Sequence, residues 1–175
     1  MNTKKTALAA ILAAILCVLA PISIPVGAIP VSLATFAVFT ISCTVRKKYA
    51  VTAVIIYILL GAAGLPVFSA FSGGFHRIAG VTGGYIIGYL PCSFIISAMT
   101  DKWESKKIIY PVSMIIGAAA CYTIGTLWYM YQTQTDFAAA FTVCVLPFLP
   151  TEILKIAGAS CIGMTLRKRL KKFVF

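Results

Sequence analysis

Six long apolar runs, parted by short polar or basic breaks, constrain this chain more than any other feature. They cover roughly residues 6–20, 31–45, 50–64, 83–99, 109–130 and 137–166. A helix needs about 20 apolar residues to cross ~30 Å of hydrocarbon. A membrane β-barrel would instead alternate apolar and polar positions, which these runs do not do. The expected fold is an all-α integral membrane protein with six transmembrane helices, forming a single domain over residues 1–175. Only 11% of residues are charged, against about a quarter in soluble domains. Runs 31–45 and 50–64 are short for a full crossing, so they are expected to leave a depression at one surface.

The net charge of +11 would suggest nucleic acid in a soluble protein, but its distribution argues otherwise. Lys4, Lys5, Arg46, Lys47, Lys48, Lys102, Lys106, Lys107, Arg167, Lys168, Arg169, Lys171 and Lys172 fall on one side of the six-span alternation. Only Arg77 falls on the other, and Lys155 lies within a span. Lysine and arginine accumulate in cytoplasmic loops, so both termini are expected to be cytoplasmic and the lipid bilayer, not nucleic acid, is the expected partner. A basic head before a short apolar run also describes a signal peptide. Pro21, Pro25 and Pro30 suit a bend better than a cleavage site, so the first run is expected to remain as a span. That run carries Ala9, Ala10, Ala13 and Ala14, two overlapping small-xxx-small pairs that would let another helix lie close. The six cysteines are scattered without paired histidines; they are read as small buried hydrophobes, and no metal site is expected.

Residues 61–91, GAAGLPVFSAFSGGFHRIAGVTGGYIIGYLP, interrupt the pattern. Residues 69–79 hold Gly73, Gly74, His76 and Arg77 and cannot be a plain membrane helix. Irregular backbone at membrane depth is tolerated only where protein buries it or a cavity adjoins it, so a site is expected here. Arg77 could pair with a ligand carboxylate or be an exposed charge. Tyr85 could line a cavity or belong to an interfacial belt, and a belt position is expected for Trp128, Tyr129 and Tyr131.

The last run, FTVCVLPFLPTEILKIAGASCIGM, carries Glu152 and Lys155. Three residues apart, they share a helix face. Charge inside a span costs at least about 2.5–3.5 kcal/mol and usually faces a cavity or a partner. A structural ion pair is the plainer alternative. Pro147 and Pro150 each lack a backbone N–H and should kink the helix just before this pair. Kink, acid, base and glycine-rich loop together read as a polar cup under a lid. No nucleophile–base–acid set appears, and the Gly83–Gly84 step lacks the Lys and Ser/Thr of a Walker A loop. No catalytic residue is assigned, and no ATPase is expected in this chain. Nor is there an internal repeat of the kind secondary transporters show.

Three pieces of the glycine-rich stretch, Gly64-Leu65-Pro66-Val67-Phe68, Ser72-Gly73-Gly74 and Gly80-Val81-Thr82-Gly83-Gly84-Tyr85, resemble the GxPVF…GG…GPTGGY signature of the BioY family. The stretch Ile29-Pro30-Val31-Ser32-Leu33-Ala34-Thr35 resembles that family's IPVTLQT, and Phe148-Leu149-Pro150-Thr151-Glu152-Ile153-Leu154-Lys155 its FLPGDLLK. The resemblance runs from about residue 6 to 166. It implies six helices and the substrate-binding (S) component of an energy-coupling-factor (ECF) vitamin transporter. Such a component sits in the plasma membrane of a prokaryote, captures biotin from outside, and works with a transmembrane T component and two ATPase subunits. Biotin would be transported cargo, and no cofactor is implied. Carried over, Glu152 would accept from the ureido N–H groups, Lys155 would donate to the ligand oxygen, and Ser72, Gly73 and Gly74 would close over it. Tyr85 would pack on its apolar part. Ala9, Ala10, Ala13 and Ala14 would form the T-component docking face. Departures are Val81 for the family's Pro, Glu152 for its Asp, and Ala34 for its Gln; the last two are expected to alter the cup. Rival readings are an S component for another vitamin or a biotin precursor, a membrane enzyme using Glu152 and Lys155 as acid and base, and a scaffolding bundle.

Overall fold

The computed structural model describes residues 3–25 and 29–174, with side chains described over 6–25 and 29–170. Lys4, Lys5, Lys171 and Lys172, on which part of the charge asymmetry rests, lie outside the described side chains. The elements follow in the order α1 (Thr3–Leu19), β1 (Ser23–Ile24), β2 (Val31–Ser32), α2 (Ala34–Thr44), α3 (Lys47–Ala62), α4 (Phe75–Ala79), α5 (Gly83–Lys102), α6 (Ile109–Thr133), α7 (Phe137–Cys144) and α8 (Leu149–Val174).

Helices dominate, as the apolar runs require, but two of the expected spans differ in form. Residues 31–33 do not open α2. Val31 and Ser32 pair antiparallel with Ile24 and Ser23. Pro30 has no N–H and biases the residue before it toward extended backbone, and the Ser32 hydroxyl then accepts from the Ala34 N–H at 3.3 Å, at the start of α2. The last run is two helices, α7 and α8, bent by 49°. Pro147 falls in the break, and Pro150 in the first turn of α8, where a missing N–H costs nothing.

By length and composition, α5 and α6 can each cross a membrane, and α7 with α8 forms a third crossing if the bent pair is one span. The helix α1, over Thr6–Leu19, and α2 are apolar but shorter.

The core is built around α2, which packs against α1, α3, α5, α6 and α8 and buries Val38, Phe39 and Ile41. The most extensive pairing is α5 on α6. Small residues permit it: a Cβ on Gly84 would collide with the Trp128 side chain, and one on Gly88 would stand 3.0 Å from Cys121 Sγ. Trp128, expected at an interfacial belt, is half-buried against the glycine-rich loop. Its indole N–H donates to the Gly80 carbonyl at 2.9 Å and holds that loop onto α6. Tyr131 is exposed.

The opposite end of the bundle holds a feature that the basic clusters concealed. Arg167 is 1% exposed, not a surface charge. Its Nη2 lies 2.6 Å from Asp101 Oδ1, and its Nη1 donates to the Cys43 carbonyl at 3.2 Å and to Thr100 Oγ1 at 3.4 Å. Asp101 Oδ2 in turn accepts from the Lys47 backbone N–H at 3.0 Å, in the first turn of α3. One ion pair thus ties together the end of α2, the start of α3, the end of α5 and α8.

The alanine stripe on α1 is split. Ala9 and Ala13 are each 1% exposed and face the bundle, where α1 packs chiefly on α3. Ala10 and Ala14 face outward beside Ile11 and Ile15. A helical turn of 3.6 residues cannot keep two adjacent pairs on one face here. Ala9 and Ala13 are therefore core residues and unavailable for docking. Of the cysteines, Cys43, Cys92, Cys121 and Cys144 are buried as expected, whereas Cys161 is exposed.

Candidate functional site: a polar pair in an aromatic cavity

A cavity of about 120 Å³ opens beside the glycine-rich loop, at the end of the bundle remote from Arg167. Its polar groups come from β2, α2 and α8: Ser32, Thr35, Glu152 and Lys155. Its aromatic walls are Tyr57, Phe68, Tyr85, Tyr89, Tyr122 and Phe148. The loop contributes Ser69, Ser72, Arg77, Val81 and Thr82.

The break between α7 and α8 places the polar pair. Glu152 sits in the first turn of α8, where the helix dipole favours a carboxylate. Lys155 follows three residues later, and its Nζ lies 3.0 Å from Glu152 Oε1. Both are largely buried, at 4% and 9% exposure. Thr35, near the start of α2, donates its hydroxyl to the same Oε1 at 2.8 Å and accepts from Lys155 Nζ at 3.0 Å. The other oxygen, Glu152 Oε2, is buried and has no hydrogen-bond partner among the described residues. The Tyr122 phenol lies beside this carboxylate without meeting hydrogen-bond geometry to Oε2. An unpaired buried acceptor costs on the order of 1–3 kcal/mol, more when charged. A ligand N–H would relieve it.

The aromatic walls form two sets of ring contacts, one around Tyr57 and one around Tyr122. Tyr57 meets Phe68 edge-on with centroids 5.5 Å apart. Tyr122 meets Tyr85 at 5.9 Å and Phe148 at 6.0 Å. Such arrays offer a flat apolar ligand both faces and edges. Tyr85 also braces the bend, because its hydroxyl donates to the Cys144 carbonyl at 3.3 Å, where the α7 ladder stops.

The loop is held by its backbone. Phe68 and Ser72 form a two-way bridge, Phe68 N–H to Ser72 carbonyl at 2.8 Å and the reverse at 3.3 Å. Between them Ala70 and Phe71 adopt positive φ of 58° and 53°, uncommon for residues with a side chain. The Ala70 N–H is fixed by the Pro21 carbonyl at 3.0 Å and by Ser23 Oγ at 2.9 Å. The loop is thereby strapped to the connection after α1. The Ser72 hydroxyl donates to the Ser69 carbonyl at 2.7 Å.

The structure brings Glu152, Lys155, Ser72, Tyr85 and Arg77 to one cavity. Gly73 and Gly74 are not in its wall. A Cβ on Gly73 would collide with the Leu65 carbonyl. Gly74, at φ 97°, donates its N–H to the Gly61 carbonyl at 2.7 Å. These glycines seat the loop on the end of α3, outside the cavity wall. Ala34, expected to alter the cup, is buried at the start of α2 and does not face the cavity either.

Sequence reasoning overlooked Tyr57, Tyr89 and Tyr122 because each is embedded in an apolar run and reads as core. A phenol within a span was the available signal, since its hydroxyl needs a partner or a cavity. Thr35 gave a fainter one, three residues after Ser32 in an otherwise apolar stretch.

In overall shape the chain matches the crystal structure of an S component for biotin from an ECF-type ABC transporter. The TM-score is 0.88 at 23% identity, covering 96% of this chain and 94% of the other. The fold is thus that of a transporter S component. The BioY family profile matches residues 1–172, and the chain belongs to the BioY family. It is 34% identical to biotin transporter BioY2 of Lactococcus lactis subsp. cremoris, over 97% of this chain and 94% of that protein. It is 37% identical to biotin transporter BioY of Thermotoga maritima, over 91% and 94% respectively.

Proposed function

We propose that this chain is the biotin-binding S component of an ECF-type vitamin transporter. The observation that carries the proposal is the buried, unpartnered Glu152 Oε2 beside Lys155 in an aromatic-walled cavity. A cyclic urea fits that polar pair. One ureido N–H donates to Oε2, and the ureido oxygen accepts from Lys155 Nζ. The apolar ring and chain then lie against Tyr85, Tyr122 and Phe148. Arg77, exposed at the cavity rim, stands where the ligand carboxylate would emerge, and Ser72 would close over it.

The membrane topology follows from the same reading. The helices α1, α2, α3, α5, α6 and the bent α7–α8 pair make six crossings, with both termini cytoplasmic and the cavity facing outward. Exposed large apolar residues on the helices, among them Ile11, Val18, Leu59, Ile115, Leu127 and Leu154, would face lipid. In α2, eleven residues rise only about 16 Å, roughly half the hydrocarbon thickness. The remaining depth is occupied by β2 and the cavity, where irregular backbone is tolerated.

In this reading the chain sits in a prokaryotic plasma membrane and binds without hydrolysing ATP. A transmembrane T component and two ATPase subunits supply the drive. The relatives' description as transporters favours binding over acid–base catalysis by the same two residues. The test is to purify the protein in detergent from biotin-replete cells and identify the released ligand by mass spectrometry. Stoichiometric biotin supports the reading. A different vitamin would keep the S-component role and remove biotin.

A further inference from the structure

We infer that Thr35 is a positioning residue that sets which oxygen of Glu152 faces the ligand. Its side chain does two things at once. The hydroxyl hydrogen goes to Glu152 Oε1 at 2.8 Å, and the hydroxyl oxygen accepts from Lys155 Nζ at 3.0 Å. Lys155 Nζ also donates to Oε1 at 3.0 Å. The three groups close a triangle in which Oε1 receives two donors and Oε2 none. A carboxylate has capacity for about four hydrogen bonds over its two oxygens. Concentrating both protein donors on one oxygen leaves the other as a single, directed acceptor.

The triangle also joins two packed elements through polar contacts at the cavity. Thr35 lies near the N-terminus of α2, while Glu152 and Lys155 lie on α8 just past its break. A hydroxyl is needed at residue 35 because only a group that donates and accepts together can serve both partners. Valine has the same shape and can do neither.

The inference rests on the proposed cup, so its test carries one arm that needs no ligand. The chain contains two glutamates, Glu104 and Glu152. With 13C-labelled glutamate, isotope-edited infrared spectra of ligand-free protein in detergent isolate their carboxylate stretches, and E152Q identifies the Glu152 band. The expected result is that T35V shifts this band and that T35S returns it to the wild-type position. A band unmoved in T35V, or displaced equally in T35S and T35V, would overturn the inference. If T35V does not fold, T35A is read in the same way. In the second arm, biotin titration should weaken roughly tenfold in T35V, the scale of one charge-assisted hydrogen bond, and recover most of that loss in T35S. The loss should shrink in an E152Q background, because Thr35 acts through Glu152; an undiminished loss there would count against it. Wild-type protein that ignores biotin would remove the proposed ligand, and the infrared arm would still decide the role of Thr35.

Discussion

The hydroxyl of Tyr85 reaches across 3.3 Å to the carbonyl of Cys144 and so joins the first turn of α5 to the last turn of α7. That carbonyl stands where the break at residues 145–148 interrupts the α7 hydrogen-bond ladder. The bend that places Glu152 beside the cavity is therefore supported from another helix. Tyr85→Phe keeps the ring in the cavity wall and removes this support together with a longer contact to Thr126 Oγ1 at 3.5 Å. It should destabilise the protein by about 1–3 kcal/mol, the cost of a buried acceptor left without its donor. Thermal unfolding in detergent reads that loss. An unchanged midpoint would mean that the bend is held by the prolines alone.

Glu152 and Lys155 should each be needed for binding. Glu152→Gln removes the charge while keeping the shape, and Lys155→Met removes the donor while keeping the apolar stem. Each should weaken ligand binding by more than about tenfold, as charge-assisted hydrogen bonds of ~1.5–3 kcal/mol imply, with the protein still folded. Affinity unchanged in both variants would show that the pair is only a structural ion pair.

The opposite end of the bundle should govern stability and not binding. Arg167→Ala takes the ion-pair partner from the Asp101 carboxylate, which keeps only the Lys47 N–H, and frees the Cys43 carbonyl. Because Asp101 reaches solvent, the cost is that of the lost charge-assisted hydrogen bonds, on the order of 1.5–3 kcal/mol. Unfolding in detergent should show the loss, while biotin affinity of the folded fraction stays near wild type. An affinity loss that matches that of Glu152→Gln would instead couple the two ends.

The outward face of α1 should carry partner docking. Ala10→Trp and Ala14→Trp should abolish co-purification with the T component while leaving biotin binding intact. Ala13→Trp, placed in the packed core, should instead prevent folding. A complex that survives both outward substitutions would put the docking face elsewhere.

Much of this was legible in the chain because it depends on local rules. Apolar runs set the helices, Pro147 and Pro150 marked the bend, and the three-residue spacing of Glu152 and Lys155 put them on one face. What was hidden depends on which way a face points. Ala9 and Ala10 are neighbours in sequence, yet one is core and the other exposed, and no helix-propensity rule separates them. Arg167 stands in a run of basic residues and looks like its neighbours, because the carboxylate that buries it comes from Asp101 at the end of α5. Thr35 stood in a matched motif with no role assigned, because its partner Glu152 comes from α8, far away in sequence. The extended residues 31–32 were missed because their apolar character favours helix and strand alike, and only the pairing with residues 23–24 decides it.

The central claim is that the Glu152–Lys155 cavity takes biotin. Calorimetric titration of biotin into detergent-purified wild-type protein, freed of bound ligand, alongside Glu152→Gln tests it most directly. The account predicts tight one-to-one binding by the wild type and a loss of more than about tenfold in the variant, the scale of its charge-assisted hydrogen bond. Wild-type protein that gives no heat with biotin, or a variant that binds equally well, would contradict it.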